Sequence, residues 1–164
     1  MAELLEAVYR GDQARVEELL AADPELDVFE AAAVGRADRV RELLDQDPAL
    51  ANAWAEDGFQ PLGLASFFGH VEAARLLVER GSDVNSASRN DMKVMPLHSA
   101  AATGDPDSRY ELAKVLLEAG ADPNARQQDA FTPLMEADQN GDERLRELLV
   151  EHGASSQGTL PGAR

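Results

Sequence analysis

The chain has 164 residues, with 31 acidic against 15 basic side chains, a formal net charge of -16 and no cysteine. That length suits one compact domain or one repeat array with its own core, and the acidity argues against unaided binding to nucleic acid or anionic lipid. Without thiols there is no disulfide, no thiolate nucleophile and no sulfur-ligated metal.

No apolar run exceeds four residues, so neither a signal peptide nor a membrane span is expected and the chain reads as cytoplasmic. The same acidity suits a soluble monomer.

The first segment, "ELLEAVYRGDQARVEELLAADP", predicts two short amphipathic helices separated by Gly11, the second carrying Leu19-Leu20. The second, "VFEAAAVGRADRVRELLDQDP", repeats this grammar around Gly35 with Leu43-Leu44. Then come "QPLGLASFFGHVEAARLLVERGSDVN", "MPLHSAAATG" continuing to "AKVLLEAGADPN", and "TPLMEADQNGDERLRELLVEHGAS", with turn glycines Gly69, Gly104 and Gly141. Their prolines, Pro61, Pro96 and Pro133, recur at intervals of 35 and 37 residues. Proline at the first turn of a helix loses no hydrogen bond. Two extra residues before Pro96 and four around "DPDS" before Arg109 are expected to be loop insertions.

Each unit is a helix of about two turns, a glycine-permitted turn and a longer helix with an apolar stripe. Alanines at 31–33, 65 and 100–102 let the first helices approach closely. A unit this short cannot bury its apolar face alone, so five must stack into one all-α solenoid. The boundaries fall near 2–26, 27–59, 60–94, 95–131 and 132–154, and the polar, Gly- and Pro-punctuated 155–164 is expected to be a flexible tail.

"MPLHSAAATG", "TPLMEA", "LLEAGADPN" and "LLVERGSDVN" resemble the signature, second helix and loop of ankyrin repeats, and the chain is similar to small, bacterial-type ankyrin-repeat proteins. The resemblance covers roughly Ala2 to Ser155 and implies paired antiparallel helices with hairpin-like finger loops. No copy has the full signature. Gln60 and Met95 stand in the threonine place, and Gly63 and Met135 in the histidine place, so weaker loop hydrogen bonds are expected there. "DPELDV" is too short for a finger, which leaves fingers at 53–60, 86–94 and 125–131 and a short N-terminal lip.

Little here points to catalysis. His70, His98 and His152 each fall where the repeat uses a polar or loop-bonding residue, and none pairs at a metal-ligand spacing. The glycines are isolated, so no phosphate-cradling loop is present. The acid pairs Glu17-Glu18, Glu56-Asp57 and Asp142-Glu143 are the only material for a hydrolase or metal-dependent protein. "DPDS" and "SRNDMK" lack the alternating ligands and the glycine of a calcium loop. No catalytic residue, metal or cofactor is assigned.

The resemblance implies a non-catalytic protein-interaction module that grips a partner protein on its concave face, between finger tips and first helices. Carried over repeat by repeat, that face holds Tyr9, Trp54, Glu56, Asp57, Phe59, Phe67, Phe68, Val94, Phe131 and Gln139. Arg10, Ala102, Thr103, Arg126, Gln128, Asp129 and Asn140 accompany them. Six of the chain's eight aromatic residues fall on this face, and residues 51–100 carry a net charge of only -2. Aromatic side chains away from the stacking surfaces suggest a binding patch with an acidic rim, although Phe68 and Trp54 also suit packing roles. An acidic inhibitor or immunity-type protein that neutralises a basic enzyme is the alternative.

Overall fold

The computed structural model describes residues 2–127 and 130–155. Among the described residues ten α-helices stand in antiparallel pairs: α1 (Ala2–Arg10) with α2 (Gln13–Ala21), α3 (Val28–Val34) with α4 (Ala37–Gln46), α5 (Pro61–Phe67) with α6 (Val71–Glu79), α7 (Pro96–Ala101) with α8 (Pro106–Glu118), and α9 (Pro133–Gln139) with α10 (Glu143–Glu151). A short 3-10 helix, Pro48–Asn52, follows α4, and the described residues contain no strand. The first helices pack on one another in chain order as an inner layer, and α4, α6, α8 and α10 form an outer one.

Local chemistry sets the helix starts. Asp12, Asp27, Asp105, Thr132 and Asp142 each accept a backbone N–H three residues on, and Asp27 and Glu30 form a reciprocal capping box. Proline opens α5, α7, α8 and α9, where its missing N–H costs nothing.

The core runs the length of the stack. Leu4, Leu44, Leu62, Leu64, Leu77, Leu97, Leu112, Leu116, Leu145 and Leu149 are among its largest fully buried side chains. Ala31, Ala32, Ala65, Ala100, Ala101 and Ala137 are buried within the inner helices, where larger side chains would hold them apart.

Three asparagines join successive units. Asn52 donates to Gly81 O and accepts from Asp83 N, Asn85 does the same with Gly120 and Asp122, and Asn124 with Gly153 and Ser155. A buried ion pair, Arg109 to Asp142 at 2.8 Å, ties α8 to the start of α10. Arg109 also donates to Thr103 O at 2.9 Å.

Three expectations are corrected. The "DPDS" insertion is not a loop: capped by Asp105 and opened by Pro106, it lengthens α8 to 13 residues against 9 in α6. Gly104 is not a left-handed turn residue as Gly11, Gly35, Gly69 and Gly141 are; this unit's turn leads into the proline-opened, longer α8. Thr103 is buried rather than on the concave face, since its hydroxyl donates to Ser66 O at 2.6 Å. Ser155 donates its N–H to Asn124 Oδ1 at 2.9 Å. The rest of the expected tail, like Gln128 and Asp129, lies outside the described residues.

Candidate partner-binding surface

The fingers at 53–60 and 86–94, called fingers three and four after the repeats beside them, are small hairpins stitched to each other. Ala55 N donates to Phe59 O within one and Ser88 N to Val94 O within the next, each at 2.8 Å. Across them Arg89 N donates to Gly58 O at 2.8 Å and Asn90 Nδ2 to Asp57 O at 3.1 Å. Gly58 permits this approach: it has φ +89, and a Cβ there would lie 2.9 Å from the Arg89 carbonyl carbon. The Arg89 guanidinium sits 3.9 Å from the centre of the Trp54 ring. Gln60, in the threonine place, makes no cap but donates to Asn52 O at 2.9 Å.

Between these fingers and the inner helices lies a groove of about 320 Å³. Phe59, Leu64, Phe67, Met92 and Val94 give it an apolar lining, with Gln127 from the fourth unit and Glu136 from the last. Phe67 is 48% exposed and Met92 52%. Phe59 and Phe68 are half-buried against the core. Phe68 meets Phe67 edge-on at 5.0 Å and Tyr9 at 5.6 Å.

A second depression, of about 570 Å³, lies on the N-terminal side and is lined by Leu5, Phe29 and Trp54 with Glu6, Asp27, Glu56 and Asp57. Tyr9 borders both depressions. Its hydroxyl donates to Asp57 Oδ2 at 2.5 Å across 48 residues of sequence, linking α1 to finger three. Burial, then this hydrogen bond and the carboxylate charge, push the Tyr9 hydroxyl above the ordinary tyrosine range, so the bridge keeps its proton at neutral pH.

Seven of the ten residues expected on the binding face thus border one depression or the other: Tyr9, Phe59, Phe67 and Val94 the groove, and Tyr9, Trp54, Glu56 and Asp57 the N-terminal depression. Phe68 packs behind the groove. Phe131 is half-buried, its carbonyl accepting from His98, and Gln139 is exposed at the end of α9; neither lines either depression. Met92 and Glu136 were missed from sequence. An apolar side chain on the finger at 86–94 is the sequence signal for Met92.

The histidines bond carbonyls. His98 is buried; its Nδ1 accepts from Met95 N and its Nε2 donates to Ala125 O and Phe131 O. His70 is 2.9 Å from Ala33 O. Burial lowers both from the usual histidine range, against the pull of these carbonyls. The acid pairs are occupied by structure: Asp142 caps α10 and pairs with Arg109, Glu17 bonds Gln13, and Asp57 accepts from Phe59 N and Tyr9. In "SRNDMK", Asn90 Oδ1 accepts from Met92 N and from the Ser88 hydroxyl. Among the described residues no three His, Asp or Glu side chains converge as metal ligands, and no helix is long and apolar enough to cross a membrane.

Stacked helix pairs with stitched finger loops define a helical repeat protein of the kind that presents a surface to other proteins. The family model described as ankyrin repeats (3 copies) matches residues 4–88 and 28–127, and the chain belongs to the ankyrin-repeat family. Repeats of this family generally mediate protein–protein interaction and are typically non-catalytic. Similar proteins include the E3 ubiquitin-protein ligase Ufd4 of Drosophila melanogaster, 37% identical over 99 residues, covering 60% of this chain and 3% of that protein. Ankyrin repeat and SOCS box protein 16 of Mus musculus is 37% identical over 102 residues, covering 61% and 22%. A putative ankyrin repeat-containing protein of Treponema pallidum (strain Nichols) is 38% identical over 98 residues, covering 60% and 31%. The chain therefore spans less than a third of each of these relatives.

Proposed function

We propose that this chain is a non-catalytic, monomeric and cytoplasmic module of five repeats that holds one partner protein in its concave groove. The observation that carries this reading is Phe67. An aromatic ring 48% exposed on the edge of a groove that also exposes Met92 leaves apolar area in water that stacking of the repeats does not use. Family membership supports the class of activity, and the apolar lining supports its place on the molecule.

Phe67 is the side chain to change, because Phe59 and Phe68 also pack against the core and their loss would weaken the fold. In affinity capture with the purified chain, Phe67→Ser is expected to lose the specific partner by tenfold or more in recovery, in line with a hot-spot loss of about 2 kcal/mol. Its helical content and melting should stay close to those of the parent. Recovery of the same protein by both chains sinks the groove as the binding site.

A further inference from the structure

The N-terminal depression differs in character from the groove beside it. Its lining includes three half-buried apolar side chains, Leu5, Phe29 and Trp54. Its rim carries the carboxylates of Glu6, Asp27, Glu56 and Asp57, and no lysine or arginine lines it. Among the described residues the groove, by contrast, has one carboxylate, Glu136. The depression stands at the lip where the first two repeats lack a finger, since residues 22–27 connect α2 to α3 directly and are held by Arg39 Nε donating to Leu26 O at 3.0 Å.

We propose that the partner segment seated in the groove continues past Tyr9 into this depression, and that it carries there an arginine beside an apolar side chain. This rests on the groove being the binding site. Charge complementarity selects the occupant: a cation brought to the rim meets four carboxylates, which outnumber the two neighbouring bases, Arg10 paired with Glu6 at 3.5 Å and Arg89 over Trp54, while the apolar lining takes an aliphatic or aromatic neighbour. Arginine is favoured over lysine because its planar, weakly hydrated guanidinium stacks on aromatic faces and bonds carboxylates in pairs. The molecule already makes such a contact, with the Arg89 guanidinium 3.9 Å from the centre of the Trp54 ring. Glu6 and Glu56 are exposed, Glu6 pairing with the equally exposed Arg10, whereas Asp27 caps α3 and Asp57 holds Tyr9, so the first two can change without loss of a helix cap or of the bridge.

The test is selection of a random 12-residue peptide library, displayed on phage, against the intact chain. Enriched peptides should be net basic, with arginine next to Leu, Phe, Trp or Met. A synthetic enriched peptide should bind about five- to tenfold more weakly to the Glu6→Gln, Glu56→Gln double variant, as expected for two rim charges. Replacing its arginine by citrulline, which keeps the shape and removes the charge, should cost a similar factor on the parent and almost nothing on the double variant. Enrichment of neutral or acidic peptides only, or arginine peptides indifferent to the double variant, overturns this inference. If such peptides still lose binding on Phe67→Ser, the groove reading survives alone. Binding that is lost on the double variant but not on Phe67→Ser overturns the groove instead, and selection that enriches nothing removes both.

Discussion

His70 illustrates how one side chain serves packing and excludes chemistry at once. It lies against Gly35, where φ is +76 and a Cβ would come within 2.5 Å of its ring, and it bonds the Ala33 carbonyl. Burial disfavours its cation, as it does for His98, so both histidines are held below their ordinary value of 6.5 in the folded chain. Protons therefore bind the unfolded chain first as pH falls, and stability is fully present above that value and drains away below it. Urea unfolding at pH 7.5 and pH 5.5 should record a fall in midpoint for the parent, and a smaller fall for His70→Gln, which offers no such proton site. Equal falls would show that His70 does not contribute. This residue was readable from sequence as structural, because it follows a turn glycine; its contact with Gly35 of the preceding repeat was not.

At the scale of elements, the repeats are held together by polar contacts as well as by leucine and alanine. The asparagine bonds span exposed loops, where water competes for the same groups, whereas Arg109 and Asp142 have side chains only 10% exposed. Burial opposes ionisation of Asp142, but the Leu145 N–H, the Arg109 hydrogen bond and the nearby positive charges outweigh it and hold the carboxyl below the usual range. Arg109→Met should therefore cost about 3 kcal/mol, the loss typical when one member of a buried pair is removed. Thermal unfolding would check this, and a loss below about 1 kcal/mol would mean that Asp142 is satisfied by its helix cap alone. The sequence revealed Arg109 only as the residue after "DPDS". Its partner, 33 residues away, became visible when the extra helical turn of α8 was seen to carry it beneath α10.

For the whole molecule, a stack is stabilised mainly by neighbour contacts, so its ends are weaker than its middle. The N-terminal unit is weaker still. The asparagine bridges begin only at Asn52, and Leu19 and Leu20 of α2 remain partly exposed. Arg39 bonded to Leu26 O joins this unit to its neighbour, and Tyr9, bonded to Asp57 and in ring contact with Phe68, ties it across the stack. Hydrogen exchange should give amides of α1 and α2 at least about tenfold less protection than those of α5 to α8, and Tyr9→Phe should widen the gap. Uniform protection along the chain would instead mean that all five units open together.

Repeat number, helix pairing, the short lip and a family-wide disposition to bind proteins were legible in the residues themselves, because glycine turns, proline starts and leucine spacing act locally. The aromatic residues named from sequence fall largely around two depressions, but their division into an apolar groove and an acid-rimmed depression was not legible. Tyr9 meets Asp57, Arg89 covers Trp54 and Met92 joins Phe67 only after three repeats and two fingers have packed. Those contacts join side chains far apart in the chain, and their distances depend on how each repeat is set against the next. Composition and periodicity carry no information about that setting, so the tertiary structure alone decided it.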